Sequence, residues 1–296
     1  VLSSGMTALV ELNDLKRIVS AYRIGSIATR LFEDAWAGLE SGLSPSEVTW
    51  WITARALAAT RLGDLDRDVI TKAGVSAAAA NDILKTAIDE VVPPFADHTR
   101  QSLHDALGAE VSLGESRRLS FVEQLVRQPR AGITCPGKPR IILEPPENHA
   151  EHCLMVAVYG VLLAPVYEAD PTRVFVAGLS HHVHNAGMPD SGFTGEMLLG
   201  RHLATLVAHY TQASLGQLAS PLREQVDDAR KILPNADTPD GRAFHAADVL
   251  DRVIQTTQYT RAAALTPQQM LGEMELVHEG PVKAFQDDVL RQAGLL

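Results

Sequence analysis

Residues 154–166 read LMVAVYGVLLAPV, an apolar run of 13 positions flanked by His152 and Glu168 and interrupted by Pro165. A helix that crosses a bilayer needs about 20 such residues, so this run is expected to be a helix buried in a globular core. The chain on either side carries the same helical period. Upstream, Leu15, Ile18, Val19, Tyr22, Ile27, Leu31, Phe32 and Ala35 recur near 3.6 residues and predict one helix from Leu12 to Leu39. Ser44-Pro45-Ser46-Glu47 predicts a helix start: Ser44 caps, Pro45 opens the first turn and Glu47 completes a capping box. Further helices are predicted over 77–91, 100–107 and 119–127. Downstream they are predicted over 149–167, 171–185, 194–213, 220–232, 241–263 and 281–292. Strand character is confined to Arg140–Leu143. The fold class is all-α.

Between the two helical regions lies QPRAGITCPGKPRIILEPPEN, residues 128–148, with five of the chain's 16 prolines. No helical period survives there, so it reads as an extended strap. The expected organisation is a helical N-terminal region over 1–127, the strap over 128–148 and a second helical region over 149–296.

The chain has 296 residues, 46% of them hydrophobic, and a formal charge of −10. That apolar content argues against intrinsic disorder. The acidic balance argues against a nucleic-acid polymer as partner, since such binding needs a field of Lys and Arg. Cys135 and Cys153 make no disulfide framework, and a reducing, cytoplasmic setting is expected. The N-terminal VLSSGMTALVELNDLKR has no cationic segment followed by an apolar one, so neither a secretory signal nor a membrane partner is expected. Homo-oligomerisation is left open. P-loop, Rossmann and CxxC signatures are absent from the sequence.

Seven of the eleven His fall between His149 and His209, where chance would place about two or three. Glu147-Asn148-His149-Ala150-Glu151-His152 puts two His three apart, on one face of a helix that starts near Asn148. Ser180-His181-His182-Val183-His184-Asn185 closes the apolar run Val174–Leu179. Three imidazoles there are costly to bury without partners, and imidazole is the commonest metal ligand near neutral pH. His245-Ala246-Ala247-Asp248-Val249-Leu250-Asp251 carries a carboxylate among small apolar residues, and an inward carboxylate needs a cation.

These three segments, in this order, resemble the HD-domain superfamily of metal-dependent phosphohydrolases. Glu147–Cys153 is similar to the E-N-V-A-E-H-S start of its 5′-deoxynucleotidase-like branch, Ala177–His182 to an apolar run ending in L-L-H-D, and Ala246–Leu250 to K-A-A-D-x-L. The resemblance spans roughly residues 125–263. It implies an HD-like helical bundle behind the N-terminal region, and metal-assisted hydrolysis of a nucleotide or other small phosphate ester, with the ion lowering the pKa of its water. The ligands it implies are His152, His181, His182 and Asp248, a set suited to Mn, Fe, Co or Zn. Two positions depart from the family pattern. His182 stands where the second residue of the His-Asp pair belongs, and Asn185 stands where an acid linked to proton transfer belongs. Asp190 or Glu196 could take over that acid role, and Glu147 is a third catalytic candidate. Phosphate contacts are expected from Arg127, Arg130, Lys138 and Arg140, with His149, His184 and Asn185 beside them on the substrate. Two alternatives stay open: an HD-type di-iron oxygenase with His202 and His209 as extra ligands, or a catalytically degenerate binding module.

Overall fold

The structure, a computed structural model, describes residues 2–108, 117–263 and 266–296. Its α-helices are α1 (Met6–Asn13), α2 (Ile27–Glu40), α3 (Pro45–Leu62), α4 (Arg67–Lys72), α5 (Ala77–Val91), α6 (Arg100–Gly108), α7 (Ser120–Arg127), α8 (His149–Tyr167), α9 (Pro171–Ser180), α10 (Gly192–Leu199), α11 (Leu203–Leu215), α12 (Ser220–Ala229), α13 (Pro239–Ala263) and α14 (Lys283–Ala293). Two short antiparallel strands, β1 (Val19–Ser20) and β2 (Arg23–Ser26), form the only sheet among the described residues. The protein is all-α in class.

Local chemistry explains most helix starts. Ser44 and Glu47 form the reciprocal capping box that their spacing predicts. Asn148 and Glu151 do the same at the head of α8, and Asp170 accepts from the backbone of Thr172 and Arg173 before Pro171 opens α9.

The long helix expected over 12–39 is not formed. The chain turns through β1 and β2, paired Val19 to Ser26 and Ser20 to Arg23, before α2 begins at Ile27. Gly25 adopts a left-handed φ of 81°, and the Ser26 side chain caps α2 by accepting from Thr29. Val19, Tyr22 and Ile24 are exposed, so the apolar period there does not mark a core face. The expected 171–185 helix stops at Ser180, and 194–213 is split between α10 and α11 at Gly200, whose φ is 50°. Arg140–Leu143 is no strand. It contributes one isolated bridge, Ile133 to Ile141.

By length and composition α8 could cross a membrane: it has 19 residues and a mean hydropathy of 1.5, but 83% of the scored window is buried inside the protein. It is the central core helix, with every residue from His149 to Ala164 buried. α2, α9 and α13 pack around it. α9 approaches closely because Gly178 has no side chain. A Cβ there would lie 2.7 Å from the backbone of Ala157, inside any van der Waals contact. That approach sets the end of α9 against the first turns of α8. The apolar core is continuous across the strap, joining Leu9, Phe32 and Trp36 to Val158, Phe175 and Leu250. Tyr159 donates its hydroxyl hydrogen to the Leu9 carbonyl across the same boundary.

The strap is clasped at its base. Arg130 N–H donates to the Glu147 carbonyl at 2.8 Å, and His149 N–H donates to the Gln128 carbonyl at 3.1 Å. Arg130 and Glu147 are thereby fixed side by side at the mouth of α8.

Candidate metal centre

Three imidazoles meet where α8, the end of α9 and α13 converge. His152 lies one turn into α8, and His181 and His182 follow the last residue of α9. Each ring is oriented by a hydrogen bond from its Nδ1–H to a different acceptor. His152 donates to Asp251 Oδ2 at 2.7 Å, His181 to the Gly178 carbonyl at 2.6 Å and His182 to Asn185 Oδ1 at 2.8 Å. The Asn185 amide is fixed the right way round because its Nδ2 donates to the Met188 carbonyl at 3.2 Å. With the proton on Nδ1, all three rings present an Nε2 lone pair.

Two of those nitrogens meet, while the third, on His182, accepts from Arg130 Nη1 at 3.3 Å. His181 Nε2 is 3.1 Å from His152 Nε2, and Asp248 Oδ1 is 3.3 Å from the same His152 atom. The ligand atoms of His152, His181 and His182 all lie within 4.8 Å of one another. Two ligands bound about 2.1 Å from one ion sit roughly 3.0–3.4 Å apart at octahedral to tetrahedral angles. Facing lone pairs at such a distance repel unless a cation lies between them. The group can therefore hold a metal ion, and its donors fit one. Burial holds His181 and His182 neutral, well below the usual imidazole range, and neighbouring imidazoles and the Arg130 guanidinium act the same way. Burial would push the Asp248 carboxyl up, but Arg252, which donates to its Oδ2 at 2.6 Å, holds it well below the usual range. Both conditions are those a metal requires of its ligands.

A second cluster meets the other face of His152. Glu147 and Asp251 stand within ligand distance of it, but a cation of the protein already serves both. Lys16 Nζ donates to Glu147 Oε1 at 2.5 Å and to Asp251 Oδ1 and Oδ2 at 2.7 and 2.9 Å. Asn13 Nδ2 adds a bond to Asp251 Oδ1 at 3.0 Å. Burial works against the ionised form of Glu147, yet the Lys16 charge outweighs it and brings the carboxyl down to about 2. Glu147 is thus committed to an ion pair.

The imidazole face opens into a cavity of about 390 Å³. Of the four basic residues expected on the substrate, only Arg130 lines it, with Nη1 3.3 Å from His182 Nε2. Arg127 is exposed and paired with Glu123, Lys138 is exposed, and Arg140 is exposed and donates to the Ser191 carbonyl. Arg252 is the second cation on the wall. Asp190 lines the cavity, but its carboxylate accepts from Ala131 N–H and Gly192 N–H at 2.9 Å each. Burial is overcome there by the facing His149 and by Arg130, which hold it well below the usual range. Glu196 also lines the cavity, and burial, with help from Asp190, raises its carboxyl. Asn185 lines the wall while orienting His182.

His149 is fully buried beneath His182, with ring centroids 4.9 Å apart. Burial lowers it to about 4, and neither of its nitrogens has a hydrogen-bond partner among the described residues. His184 is part-buried behind His182 and also falls to about 4 through burial. Neither residue lines the cavity. His202 and His209 are exposed and do not line it either. Residues the sequence reading did not single out are Lys16, Asn13, Arg252, and the stacked pair Phe193 and His278, whose ring centroids are 3.6 Å apart on the far wall. Arg252 was discoverable from its i,i+4 spacing to Asp248. Lys16 and Asn13 carry no local signal.

Comparison with known proteins returns no matching family model, curated protein or solved structure.

Proposed function

We propose that this chain is a divalent-metal-dependent phosphohydrolase of the HD type, acting on a nucleotide or another small phosphate ester. The observation that carries the reading is the meeting of His152, His181 and His182, with Asp248 Oδ1 3.3 Å from His152 Nε2, beside a cavity walled by two guanidinium groups. His152, His181, His182 and Asp248 would hold the ion, and this nitrogen-rich set suits Mn, Fe, Co or Zn. A divalent ion held there supplies an acidified water and neutralises phosphate charge.

The chain's own groups do the rest. Arg130 stands beside His182, where its fork can grip the non-bridging oxygens of a phosphate. Arg252 is tied to Asp248 Oδ2, which leaves Oδ1 toward His152. Asn185 cannot supply a proton as an acid. Its amide is spent on holding the His182 ring. Glu196 has the better chemistry for that role, because it lines the cavity and burial raises its carboxyl. Asp190 is held ionised and braces the strap against the Gly192 turn.

Elemental analysis of the purified protein, followed by phosphate release from a panel of phosphomonoesters with added Mn, Fe, Co or Zn, tests the reading. The expected result is about one bound ion per chain and phosphate release lost in His181→Ala. Two irons with oxygen consumption would replace it by the oxygenase, and absence of both metal and turnover would reject it.

A further inference from the structure

The N-terminal region reaches the proposed centre through Lys16, a charged side chain at the end of the short turn Asp14–Lys16 that follows α1. Its side chain is 1% exposed. It joins Glu147, at the foot of the strap, to Asp251 on α13, 131 and 235 residues away in the chain. Burying an ammonium costs several kcal/mol unless its bonds are made good, and here three carboxylate oxygens surround it. One of them, Asp251 Oδ2, also accepts the Nδ1 proton of His152.

We propose that Lys16 is a positioning residue for the metal centre: its ammonium locks the Asp251 carboxylate where it receives the Nδ1–H of His152, so that the Nε2 lone pair faces the cation. This rests on the reading of a divalent ion at His152. Asp251 accepts four bonds from three groups, two from Lys16 and one each from Asn13 and His152. Remove Lys16, and the neutral Asn13 amide remains as the only other group holding it. The carboxylate is then free to turn from His152, and a ring without an Nδ1 acceptor divides its proton between both nitrogens. The role assigned to residues 1–127 is accordingly to complete the site rather than merely to cover it.

The test compares wild type, Lys16→Met and Lys16→Arg as full chains. Nitrogen-15 NMR of the metal-free proteins reads the His152 tautomer, assigned by its loss in His152→Gln, and competition titration reads Zn and Co affinity. The expected result is an Nδ1–H tautomer in wild type and a mixture in Lys16→Met. Zn affinity should fall about 10- to 100-fold in Lys16→Met and recover in Lys16→Arg, which keeps the charge. If Lys16→Met does not fold, Lys16→Gln, a neutral donor of similar length, is read in its place, with a mixture of tautomers and weakened Zn affinity expected and an unchanged tautomer with unchanged affinity overturning the proposal. A folded Lys16→Met with unchanged tautomer and unchanged affinity would overturn the proposal, as would an Nε2–H tautomer at His152 in wild type. If wild type takes up neither Zn nor Co, the metal reading fails, while the tautomer comparison still decides the role of Lys16.

Discussion

The two nitrogens of the His152 ring face two unlike clusters. Beyond Nδ1, two carboxylates and a side-chain amide close around Lys16, and the charge is neutralised by the chain itself. Beyond Nε2 stand His181 Nε2 at 3.1 Å and Asp248 Oδ1 at 3.3 Å, with the His182 ring beside them. By the spacing of donor atoms alone both clusters would pass as cation sites. Charge and hydrogen direction separate them. The first contains its cation, and the second is built to receive one. Proximity of His, Asp and Glu is therefore poor evidence for a metal until the protons on the rings have been placed.

The contrast can be tested by altering one side at a time. On the Nδ1 side, Asp251→Ala strands Lys16 with Glu147 and removes the acceptor of His152. A loss of about 3–5 kcal/mol is expected in denaturant unfolding, and a loss near zero would mean that the buried ion pair is dispensable. On the Nε2 side, Asn185→Leu deprives His182 of its acceptor but breaks no ion pair. Metal affinity should drop about 10- to 100-fold by competition titration, with little change in the unfolding midpoint. Gly178→Ala acts on the packing that delivers His181 and His182. Its Cβ would lie 2.7 Å from the Ala157 backbone, so a loss of about 1–3 kcal/mol is expected in thermal unfolding, together with weakened metal binding as α9 shifts. The smallest effect belongs to the outward-facing cations. Arg127→Ala and Lys138→Ala should each leave stability within about 0.5 kcal/mol and leave metal affinity and turnover unchanged.

Much of this arrangement is written locally in the sequence. The boundaries of α5 and α8 follow from Ser76 and Asn148 as caps and from prolines beyond the first of these helices. These are short-range signals that the fold does not override. The segments that carry His152, His181, His182 and Asp248 are legible because polar residues border or interrupt apolar helical runs there, while the choice of these four as ligands rests on the resemblance of the three segments to the HD-domain pattern. Other features are not local. Val19 and Tyr22 continue an apolar period by coincidence, and only the pairing of β1 with β2 shows that they face solvent. The strap has no period, so nothing in it distinguishes Arg130, which lines the cavity, from Lys138 and Arg140, which point away. The Lys16 cluster joins positions as far as 238 residues apart, and no pattern in a single chain announces such a meeting.

The clasp at the base of the strap carries an evolutionary consequence. Because Gln128, Arg130, Glu147 and His149 are bonded to one another through their backbones, the loop can lengthen or shorten at its exposed tip, Pro136 to Arg140, without displacing the two charged residues at its root. A lineage could thus vary the length of the tip, which stands clear of the cavity, while the residues around the imidazole cluster inherit no disturbance.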